Sequence, residues 1–482
     1  MEIELTFQLA DPAALPALRR RFAKARRAHL HALYFDTADL RLARAGLALR
    51  LRQEQGVWMQ TLKGVVAGSA MHRIEEDVPL PGRRRPRPDP ARHAAGPAAD
   101  ALARALDGAE LAAQPLFETD IERHTLRPRM PGGVAVEVAL DEGVIRAGTV
   151  TLPVCEVEFE LKDGGDEADL LHVARDWSQR YRLWLDVRNK AQRGMVLARG
   201  EPLAAKLAPL VVDEDKKLSP ATALRRIVGH GLQRLLPQAA KLAEGDNDQE
   251  CIHEMRVGLR RLRSALKLFG RWDEHAISPA WDARLGDYAS ALGEHRDRSI
   301  LETELLPRIL QAGGPPLAML PPAPSAEALA LRLRAPAFSS LVLDLLAFAH
   351  AQPVSEGRGV RRKARHRLDR FERKLRQEAR GFDDADDAAH HRLRKRLKRL
   401  RYGLELVDGL LPVKETRHRL VALKHLQNAL GRYNDMAVAQ AVFTDLGRDP
   451  GVSFAAGWAA GQKEALLTAA EKAVAAWLDG ED

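Results

Sequence analysis

Apolar and polar residues alternate with a period of two over most of the first 200 residues, which is the pattern of half-buried β-strands. The clearest strand patterns cover residues 2–9, 47–54, 58–63, 134–140 and 154–162. Turn signals such as Gly132-Gly133 and Gly164-Gly165 separate the strands. Helical patterns interrupt them only at residues 12–27, 98–106 and 167–181. The pattern therefore predicts an N-terminal half built mainly from β-sheet.

After about residue 205 the apolar positions recur with a helical period. Ser219-Pro220 has the form of an N-cap followed by proline in the first helical turn. Long helical patterns follow, with breaks at residues 245–248, 275–279, 313–324 and 352–359. We predict a domain boundary within residues 203–217, between a strand-rich domain at 1–205 and an all-α domain at 217–482.

An internal repeat lies within the helical half. The segment HEMRVGLRRLR from His253 aligns with HRLRKRLKRLR from His391. LGEHRD from Leu292 aligns with LGRYND from Leu430 at the same offset along the chain. The helix predicted to begin near Pro220 has its counterpart near Arg358. The repeat predicts a duplicated unit of about four helices, and therefore about eight helices in the C-terminal domain.

Each copy of the repeat presents a cationic stripe on one helix face and leucines on the opposite face. An ordinary solvated face is the simplest interpretation of a single such helix. The stripe, however, recurs at matched positions and lacks acidic partners at i+4. Guanidinium groups bind phosphate oxygens bidentately, so we predict an anion site. Its candidate residues are His253, Arg256, Arg260, Arg261, Arg263, His391, Arg394, Lys398, Arg399 and Arg401.

The charge balance agrees with an anionic partner for the helical half. The 482-residue chain has 75 Lys and Arg against 66 Asp and Glu, a net charge of +9. Residues 1–210 hold 31 basic and 29 acidic side chains, whereas the remainder holds 44 and 37. A basic excess favours nucleic acid, an anionic membrane or a phosphate polymer. Aromatic residues are 5% of the chain and do not interleave with the stripe, which favours the phosphate polymer over nucleic acid.

Composition also narrows the class of protein. No run of 18 apolar residues is present, which excludes a transmembrane helix from the prediction. The two cysteines, Cys155 and Cys251, are far apart and form no CxxC, so a disulfide framework or a zinc ribbon is excluded. The opening Met1-Glu2-Ile3-Glu4-Leu5 differs from a secretory signal. We expect a cytoplasmic protein without a membrane partner.

Charged residues share strand faces in the N-terminal half. Glu2 and Glu4 lie on one face of the first strand, and Glu156, Glu158 and Glu160 line one face of another. Arg50 and Arg52 likewise share a face. One interpretation is an amphipathic sheet with its polar face in water. If the strands close with polar faces inward, acidic and basic walls would oppose each other, an arrangement suited to divalent cations and phosphates.

The repeated element H-x2-R-x3-[RK]-[RK]-x-R, found at His253 and His391, resembles that of the CHAD family (conserved histidine α-helical domain). The resemblance covers about residues 217–482. It implies a bundle of two four-helix repeats that binds inorganic polyphosphate through a basic surface. The stripe geometry is compatible with that role.

The N-terminal half resembles the CYTH family, the triphosphate tunnel metalloenzymes, over about residues 1–200. The matching pieces are Glu2-Ile-Glu4, Leu49-Arg50-Leu51-Arg52, Thr61-Leu-Lys63, Arg73, Arg123, Asp141-Glu-Gly143, Glu156-Val-Glu158-Phe-Glu160-Leu161 and Arg188-Asn-Lys190. The resemblance implies a tunnel of eight antiparallel strands that binds triphosphates together with Mg²⁺ or Mn²⁺. The fold class implied for the whole chain is therefore α+β, a β-tunnel followed by an all-α bundle.

The two-domain order resembles bacterial inorganic triphosphatases, and it implies hydrolysis of inorganic triphosphate to pyrophosphate and phosphate. Glu2 and Glu4 would be catalytic. The implied metal ligands are Glu2, Glu4, Asp141, Glu156, Glu158 and Glu160. The implied triphosphate-binding residues are Arg50, Arg52, Lys63, Arg73, Arg123, Arg188 and Lys190. The helical domain would bind polyphosphate and target the protein to polyphosphate granules.

One residue departs from the CYTH pattern. The family opening is ExExK, and Thr6 stands at the lysine position. Two alternatives therefore stay open beside the enzyme. One is a non-catalytic protein that binds polyphosphate or organises granules. The other is a triphosphatase acting on a nucleotide or thiamine triphosphate, for which Trp58 is the candidate base-stacking residue.

Overall fold

In the computed structural model, the chain forms two compact units. Unit 1 comprises Met1–Pro209, Leu232–Gly245 and Ala330–Ala351, and unit 2 comprises Leu210–Gly231, Asp246–Leu329 and Gln352–Asp482. The structure describes residues 2–54, 56–66, 68–82, 86–93, 96–128, 136–162, 165–200, 218–246, 248–317, 324–352, 359–447 and 449–480. The predicted boundary segment 203–217 and the predicted Gly132-Gly133 turn lie outside these residues, as does Gly164. The domain limits 1–205 and 217–482 stay predictions.

Unit 1 is built around a single antiparallel sheet. Its strands are β1 Glu2–Leu9, β2 Arg26–Phe35, β3 Leu47–Glu54, β4 Val57–Val65, β5 His72–Leu80, β6 Phe117–Leu126, β7 Val136–Ala147, β8 Val150–Leu161 and β9 Leu183–Leu185. The helices that accompany the strands are α1 Leu15–Arg21, α2 Arg41–Arg44, α3 Pro97–Leu106, α4 Glu167–Tyr181 and α5 Lys190–Arg199.

The sheet closes on itself. Its strand order is β5-β4-β3-β2-β6-β7-β8-β1, and β1 pairs with β5 to complete an eight-stranded barrel. Glu2 is opposite Arg73 at that closing seam. The short strand β9 pairs with β1 beside the seam. The predicted eight-stranded antiparallel tunnel is therefore confirmed, and closure leaves no sheet edge between the eight strands.

Many outward strand positions of β3, β4 and β8 are apolar, and helices cover them. Leu49 and Leu62 pack against Leu102 of α3. The Phe159 ring on β8 lies edge-on to Trp177 of α4, with 5.9 Å between ring centroids. Burial of each such side chain stabilises the barrel by roughly 1.5–3 kcal/mol. The period of two therefore sends apolar residues outward beneath the helices, and most inward positions are polar.

The remaining helices follow the strand-rich segment. They are α6 Pro220–Glu244, α7 Gln249–Phe269, α8 Ala280–Ile300, α9 Leu306–Gln311, α10 Ala326–Arg334, α11 Pro336–His350, α12 Val360–Ala379, α13 Asp387–Leu406, α14 Val413–Asp445 and α15 Pro450–Asp479. The predicted all-α character of the C-terminal half is confirmed. Among the described residues, no helix is both long enough and apolar enough to cross a membrane.

The predicted repeat has a clear counterpart in the helix positions. The offset that aligns His253 with His391 places α7 on α13, and the same shift places α6 on α12 and α8 within α14. The last helix of the second copy, α15, is one continuous helix, whereas the same shift places α10 and the start of α11 against it in the first copy. The division into two four-helix repeats stays a prediction.

A close backbone approach in the barrel generates a stability prediction. A Cβ atom added at Gly143 on β7 would lie 2.1 Å from the Asp120 carbonyl oxygen on β6. We expect Gly143→Ala to destabilise the barrel by about 2–4 kcal/mol, because the β6–β7 ladder must separate to admit the methyl group. Hydrogen exchange of β6 and β7 peptides in increasing denaturant measures this loss.

The control substitution is Gly461→Ala in α15, where nothing lies within 4 Å of the added Cβ. Alanine is favoured over glycine in a helix, so exchange of α15 peptides should slow or stay unchanged. Wild-type protection of β6 and β7 in Gly143→Ala would contradict the close approach.

Candidate functional sites

The barrel of unit 1 encloses a cavity of about 750 Å³. Side chains from all eight barrel strands and from the start of α5 line it. The charged lining residues are Glu2, Glu4, Arg26, Arg50, Arg52, Glu54, Lys63, Glu75, Asp77, Arg123, Arg127, Glu137, Asp141, Glu158, Glu160, Lys162 and Lys190. Such a cavity suits a small, highly charged ligand, because its polar groups are already fixed by the strands.

A row of carboxylates crosses three neighbouring strands on one wall of the tunnel. Glu4 on β1 is opposite Glu160 on β8, and Glu160 is opposite Glu137 on β7. Cations flank this row: Lys162 forms an ion pair with Glu160, Arg127 with Glu137, and Arg73 with Glu4. Like charges on directly opposed residues destabilise a sheet, so this wall favours a bound cation.

A second acidic cluster lies deeper in the barrel. Carboxylate oxygens of Asp141, Glu156 and Glu158 all lie within 4.8 Å of one another. The Lys190 ammonium at the start of α5 forms ion pairs with all three. Burial raises the pKa of Glu158, but Arg123 and Lys190 outweigh burial and hold it well below its usual range. Glu158 is therefore ionised at neutral pH.

Thr6 lies beside the deeper acidic cluster. It is opposite Glu158 in the β1–β8 ladder, so a lysine there would start one strand away from that cluster. Lys190 reaches the cluster from α5, and Arg193 forms an ion pair with Glu156. The start of α5 therefore supplies positive charge at this cluster.

Four charged side chains lie close together beside the seam between β1 and β5, namely Glu2, Glu4, Lys63 and Glu75. Lys63 Nζ lies 3.0 Å from Glu2, 3.8 Å from Glu4 and 2.5 Å from Glu75. Burial and the hydrogen bond with Glu75 raise the pKa of Glu2 to about 9. Glu2 and Glu75 therefore share a proton at neutral pH, which a bound divalent cation would displace.

Arg50 and Arg52 on β3 form the basic wall of the tunnel, and each has a donor that no described protein group satisfies. The Arg50 guanidinium lies 3.2 Å from Glu75, and that of Arg52 lies 3.9 Å from Asp77. The Nε atoms of both arginines are buried, and among the described residues neither has a hydrogen-bond partner. A buried donor without a partner is costly, so both arginines favour an oxyanion in the tunnel.

Most of the sequence-predicted tunnel residues meet in this cavity, namely Glu2, Glu4, Arg50, Arg52, Lys63, Arg123, Asp141, Glu158, Glu160 and Lys190. Arg73, Glu156 and Arg188 do not line it. Arg73 is held at the closing seam, where its Nε lies 3.5 Å from Glu4. Glu156 is fully buried beneath Lys190 and Arg193. Arg188 is turned away, because Asp186 and Glu244 bind its guanidinium at 2.8 Å each.

Sequence reasoning missed several charged groups of the site, among them Glu75, Asp77, Glu137, Lys162 and Arg193. Glu75 and Asp77 line the tunnel from β5, and their alternation with Arg73 was the available signal. Arg193 follows Lys190 by three residues on α5, a helical spacing. The Trp58 prediction is wrong, because that ring is buried among core residues such as Leu51 and is not part of the lining. The lining aromatic residue is Tyr34.

Unit 2 contains a second polar cavity, of about 810 Å³. The repeat helices α7 and α13 supply most of its cations, and α14 and α15 complete the wall. Its charged and histidine lining residues are His253, Arg260, Arg261, Arg394, Lys398, Arg401, His425, Arg432 and Asp435. The internal repeat thus brings both copies of the cationic stripe to one cavity.

The cavity of unit 2 buries more positive charge than negative charge. Burial and the neighbouring Arg394 and Arg260 lower the pKa of Lys398 to about 7. Burial and Arg260 likewise lower the pKa of Arg256 to about 10. Among the described residues, neither Arg260 nor Lys398 forms an ion pair with a carboxylate. Asp435, 3.7 Å from Arg394, is the acidic residue of the lining. The cavity favours an anion.

Repeat symmetry is visible in the ion pairs themselves. Arg256 lies 3.9 Å from Asp297, and Arg394 lies 3.7 Å from Asp435. The offset between the two arginines equals that between the two aspartates, and it is the offset of the sequence repeat. The duplicated sequence therefore places equivalent charges at equivalent positions in both copies.

Four predicted stripe residues do not line the cavity, namely Arg256, Arg263, His391 and Arg399. Arg263 turns to Asp282, 2.9 Å away. The His391 ring contacts Asn434. The expectation that the stripe lacks acidic partners at i+4 is wrong for Arg401, whose guanidinium lies 3.3 Å from Glu405.

Comparisons with known proteins identify both parts of the chain. The CYTH domain family model matches residues 1–195, and the CHAD domain family model matches residues 226–444. An inorganic triphosphatase from Haemophilus influenzae is 31% identical over 175 residues, which are 34% of this chain and 44% of that protein. The match therefore spans less than half of that relative's length.

A solved structure is similar to the helical half. The crystal structure of the CHAD domain from the plant Ricinus communis is 28% identical, with a TM-score of 0.44. The alignment covers 56% of this chain and 97% of that domain. The two family matches, in this order along the chain, identify it as a CYTH–CHAD two-domain protein, a CYTH domain followed by a CHAD domain.

Proposed function

We propose that the tunnel hydrolyses inorganic triphosphate to pyrophosphate and phosphate with the help of a divalent metal ion. The observation that carries the proposal is the opposition of two walls in one cavity. Arg50 and Arg52 line one wall, each with a buried Nε atom that has no hydrogen-bond partner among the described residues, and the Glu4–Glu160–Glu137 row lies on another. Similarity to an inorganic triphosphatase supports the same reaction.

The donor set fits Mg²⁺ or Mn²⁺. The carboxylates of the tunnel offer only oxygen ligands, which these hard cations prefer. Of the predicted metal ligands, those that line the tunnel and would hold the metal are Glu2, Glu4, Asp141, Glu158 and Glu160. Glu156 is enclosed by Lys190 and Arg193 and is not placed to join them. When bound, the metal supplies charge neutralisation at the phosphate oxygens and lowers the pKa of a coordinated water molecule.

The side chains of the tunnel bind and orient the substrate. Arg50, Arg52 and Lys63 bind the phosphate oxygens and hold the triphosphate alongside the carboxylate wall. Arg123 and Lys190 are fixed by ion pairs with Glu158, so their charges need no reorganisation as negative charge develops at the phosphoryl oxygens. The barrel excludes bulk water around the bound triphosphate, which strengthens these interactions.

The cavity of unit 2 supports a second role, the binding of inorganic polyphosphate. Arg260 and Lys398 are the repeat-equivalent cations that lack carboxylate partners among the described residues, and both line the cavity. A polyphosphate presents repeated anionic oxygens at short intervals, which suits a cavity lined from both copies of the stripe. This role would place the protein in the cytoplasm, on polyphosphate granules.

A substitution that removes one negative charge from the tunnel tests the catalytic proposal. We expect Glu158→Gln to lower kcat/KM for inorganic triphosphate at least about 100-fold, because it removes a proposed metal ligand and one of the carboxylates that hold Arg123 and Lys190 in place. The measurement is phosphate release from inorganic triphosphate, ATP and thiamine triphosphate in the presence of Mg²⁺ or Mn²⁺.

The matched control is Glu142→Gln on the outer face of β7, where Glu142 binds Arg19 on the protein surface. The control should retain activity within about threefold, as expected of a surface substitution. Equal losses in both variants would contradict the site. Wild-type protein that releases no phosphate from any of the three substrates would refute the enzyme and favour the non-catalytic binder.

The lowered pKa of Lys398 predicts how polyphosphate binding depends on pH. A bound anion favours the ammonium form, so affinity is full below pH 7 and falls as pH rises above 7, by at most about tenfold per pH unit. Titrations between about pH 7.5 and 9 cover the range in which the Lys398 ammonium of the free protein loses its proton.

Lys398→Arg keeps the positive charge throughout this range and should make the affinity independent of pH. Calorimetric titration with long-chain polyphosphate at constant ionic strength measures both proteins. The same slope in wild type and Lys398→Arg would show that Lys398 is not at the binding site.

A further inference from the structure

Three potential metal ligands meet in unit 1 outside the tunnel lining. They are His72, the first residue of β5, Glu167, the first residue of α4, and His350, the last residue of α11. His72 Nε2 lies 3.2 Å from Glu167 Oε1, and His350 Nδ1 lies 3.1 Å from Glu167 Oε2. One donor atom of each residue lies within 4.8 Å of the others. Residues far apart in sequence therefore converge on one point.

One oxygen of the Glu167 carboxylate is buried without a hydrogen-bond partner. The Glu167 side chain is partly exposed, but its Oε2 atom is buried and has no such partner among the described residues, although His350 Nδ1 lies 3.1 Å away. The two imidazole rings are stacked, with centroids 5.1 Å apart. A cation bound between the two rings and the carboxylate would satisfy all three groups.

Ser69 contacts both rings. Its hydroxyl lies 2.8 Å from His72 Nδ1 and 3.4 Å from His350 Nε2. Backbone N–H groups of Met71 and His72 donate to the same hydroxyl oxygen. Because that oxygen already accepts two N–H groups, its single proton can be donated to only one of the two rings at a time. The other nitrogen of each ring lies close to Glu167.

We propose that His72, Glu167 and His350 form a binding site for a transition-metal ion of the Zn²⁺ class. Two imidazoles and one carboxylate are a common three-residue zinc ligand set, which leaves the fourth position for water. Ligand atoms at zinc bond lengths are about 3.4 Å apart in a tetrahedral site, close to the 3.2 and 3.1 Å found here. The imidazoles distinguish this site from the oxygen-only tunnel.

The expected consequence of metal binding is stabilisation of unit 1. The three ligands come from well-separated parts of the chain, so a metal bound to all three restricts the unfolded chain strongly. Helix α11 also contacts the barrel side of unit 1 through Asp344, 2.7 Å from Arg175 of α4. The metal would strengthen an existing contact between α11 and α4.

Cobalt and zinc titrations of the full-length, untagged protein test the site. Excess Mg²⁺ is included to occupy the oxygen ligands of the tunnel. We expect one Co²⁺ per chain, with the visible absorption of a site containing nitrogen ligands, and displacement of Co²⁺ by Zn²⁺. His350→Ala and His72→Ala should each lower Co²⁺ affinity at least about 100-fold, because each removes a direct ligand. Zn²⁺ should raise the thermal unfolding temperature of wild type but not that of His350→Ala or His72→Ala.

The matched control is His172→Ala, an exposed histidine on the same helix as Glu167. It should bind Co²⁺ with wild-type affinity. If an alanine variant fails to fold, Glu167→Gln preserves side-chain shape and should still lose Co²⁺ binding. Wild-type affinity in His350→Ala or Glu167→Gln would overturn the proposal, as would the absence of Co²⁺ binding by wild type in excess Mg²⁺.

Discussion

Neutralisation of buried charge is the constraint on which the N-terminal barrel depends. Closing the sheet places carboxylates of β1, β7 and β8 in one interior with the arginines of β3 and β6. A buried charge without a partner costs several kcal/mol, so each group must find an opposite charge or a ligand. Arg123 and Lys190 satisfy Glu158 within the protein. Arg50 and Arg52 keep buried donors for a ligand.

The helical cavity meets the same constraint in a different way. Its cations come from two copies of one sequence element, so duplication multiplies positive charge without adding an equal number of carboxylates. Among the described residues, these cations therefore do not all form ion pairs with carboxylates. The pKa of Lys398 falls to about 7 as a result. An incoming polyanion would supply the missing charge. Both cavities thus suit condensed phosphate, one with acidic residues for metal and one nearly without them.

Local periodicity made much of this organisation predictable. Alternation in Glu2–Glu4 and Arg50–Arg52 indicated charged faces, and the constant offset between the repeated motifs indicated the duplicated helices. The structure brings Glu2, Glu4, Arg50 and Arg52 into the same lining.

Groups that depend on distant packing were not predictable. The contact of Lys190 and Arg193 with Glu156 requires α5 to enter the barrel, and no local pattern specifies that entry. The pairing of Arg188 with Glu244 joins residues that are distant in sequence, so no alternation or helical spacing indicates it. Trp58 failed as a ligand candidate for the same reason, because only the closed barrel determines which strand face is inside.

The central claim is that the opposed walls of the tunnel bind a triphosphate and its metal together. Anomalous diffraction from crystals grown with Mn²⁺ and inorganic triphosphate tests this claim most directly. The account predicts manganese at the carboxylates of β1 and β8, and phosphate density against Arg50, Arg52 and Lys63. Triphosphate bound outside the barrel, or inside it with manganese bound elsewhere, would contradict the account.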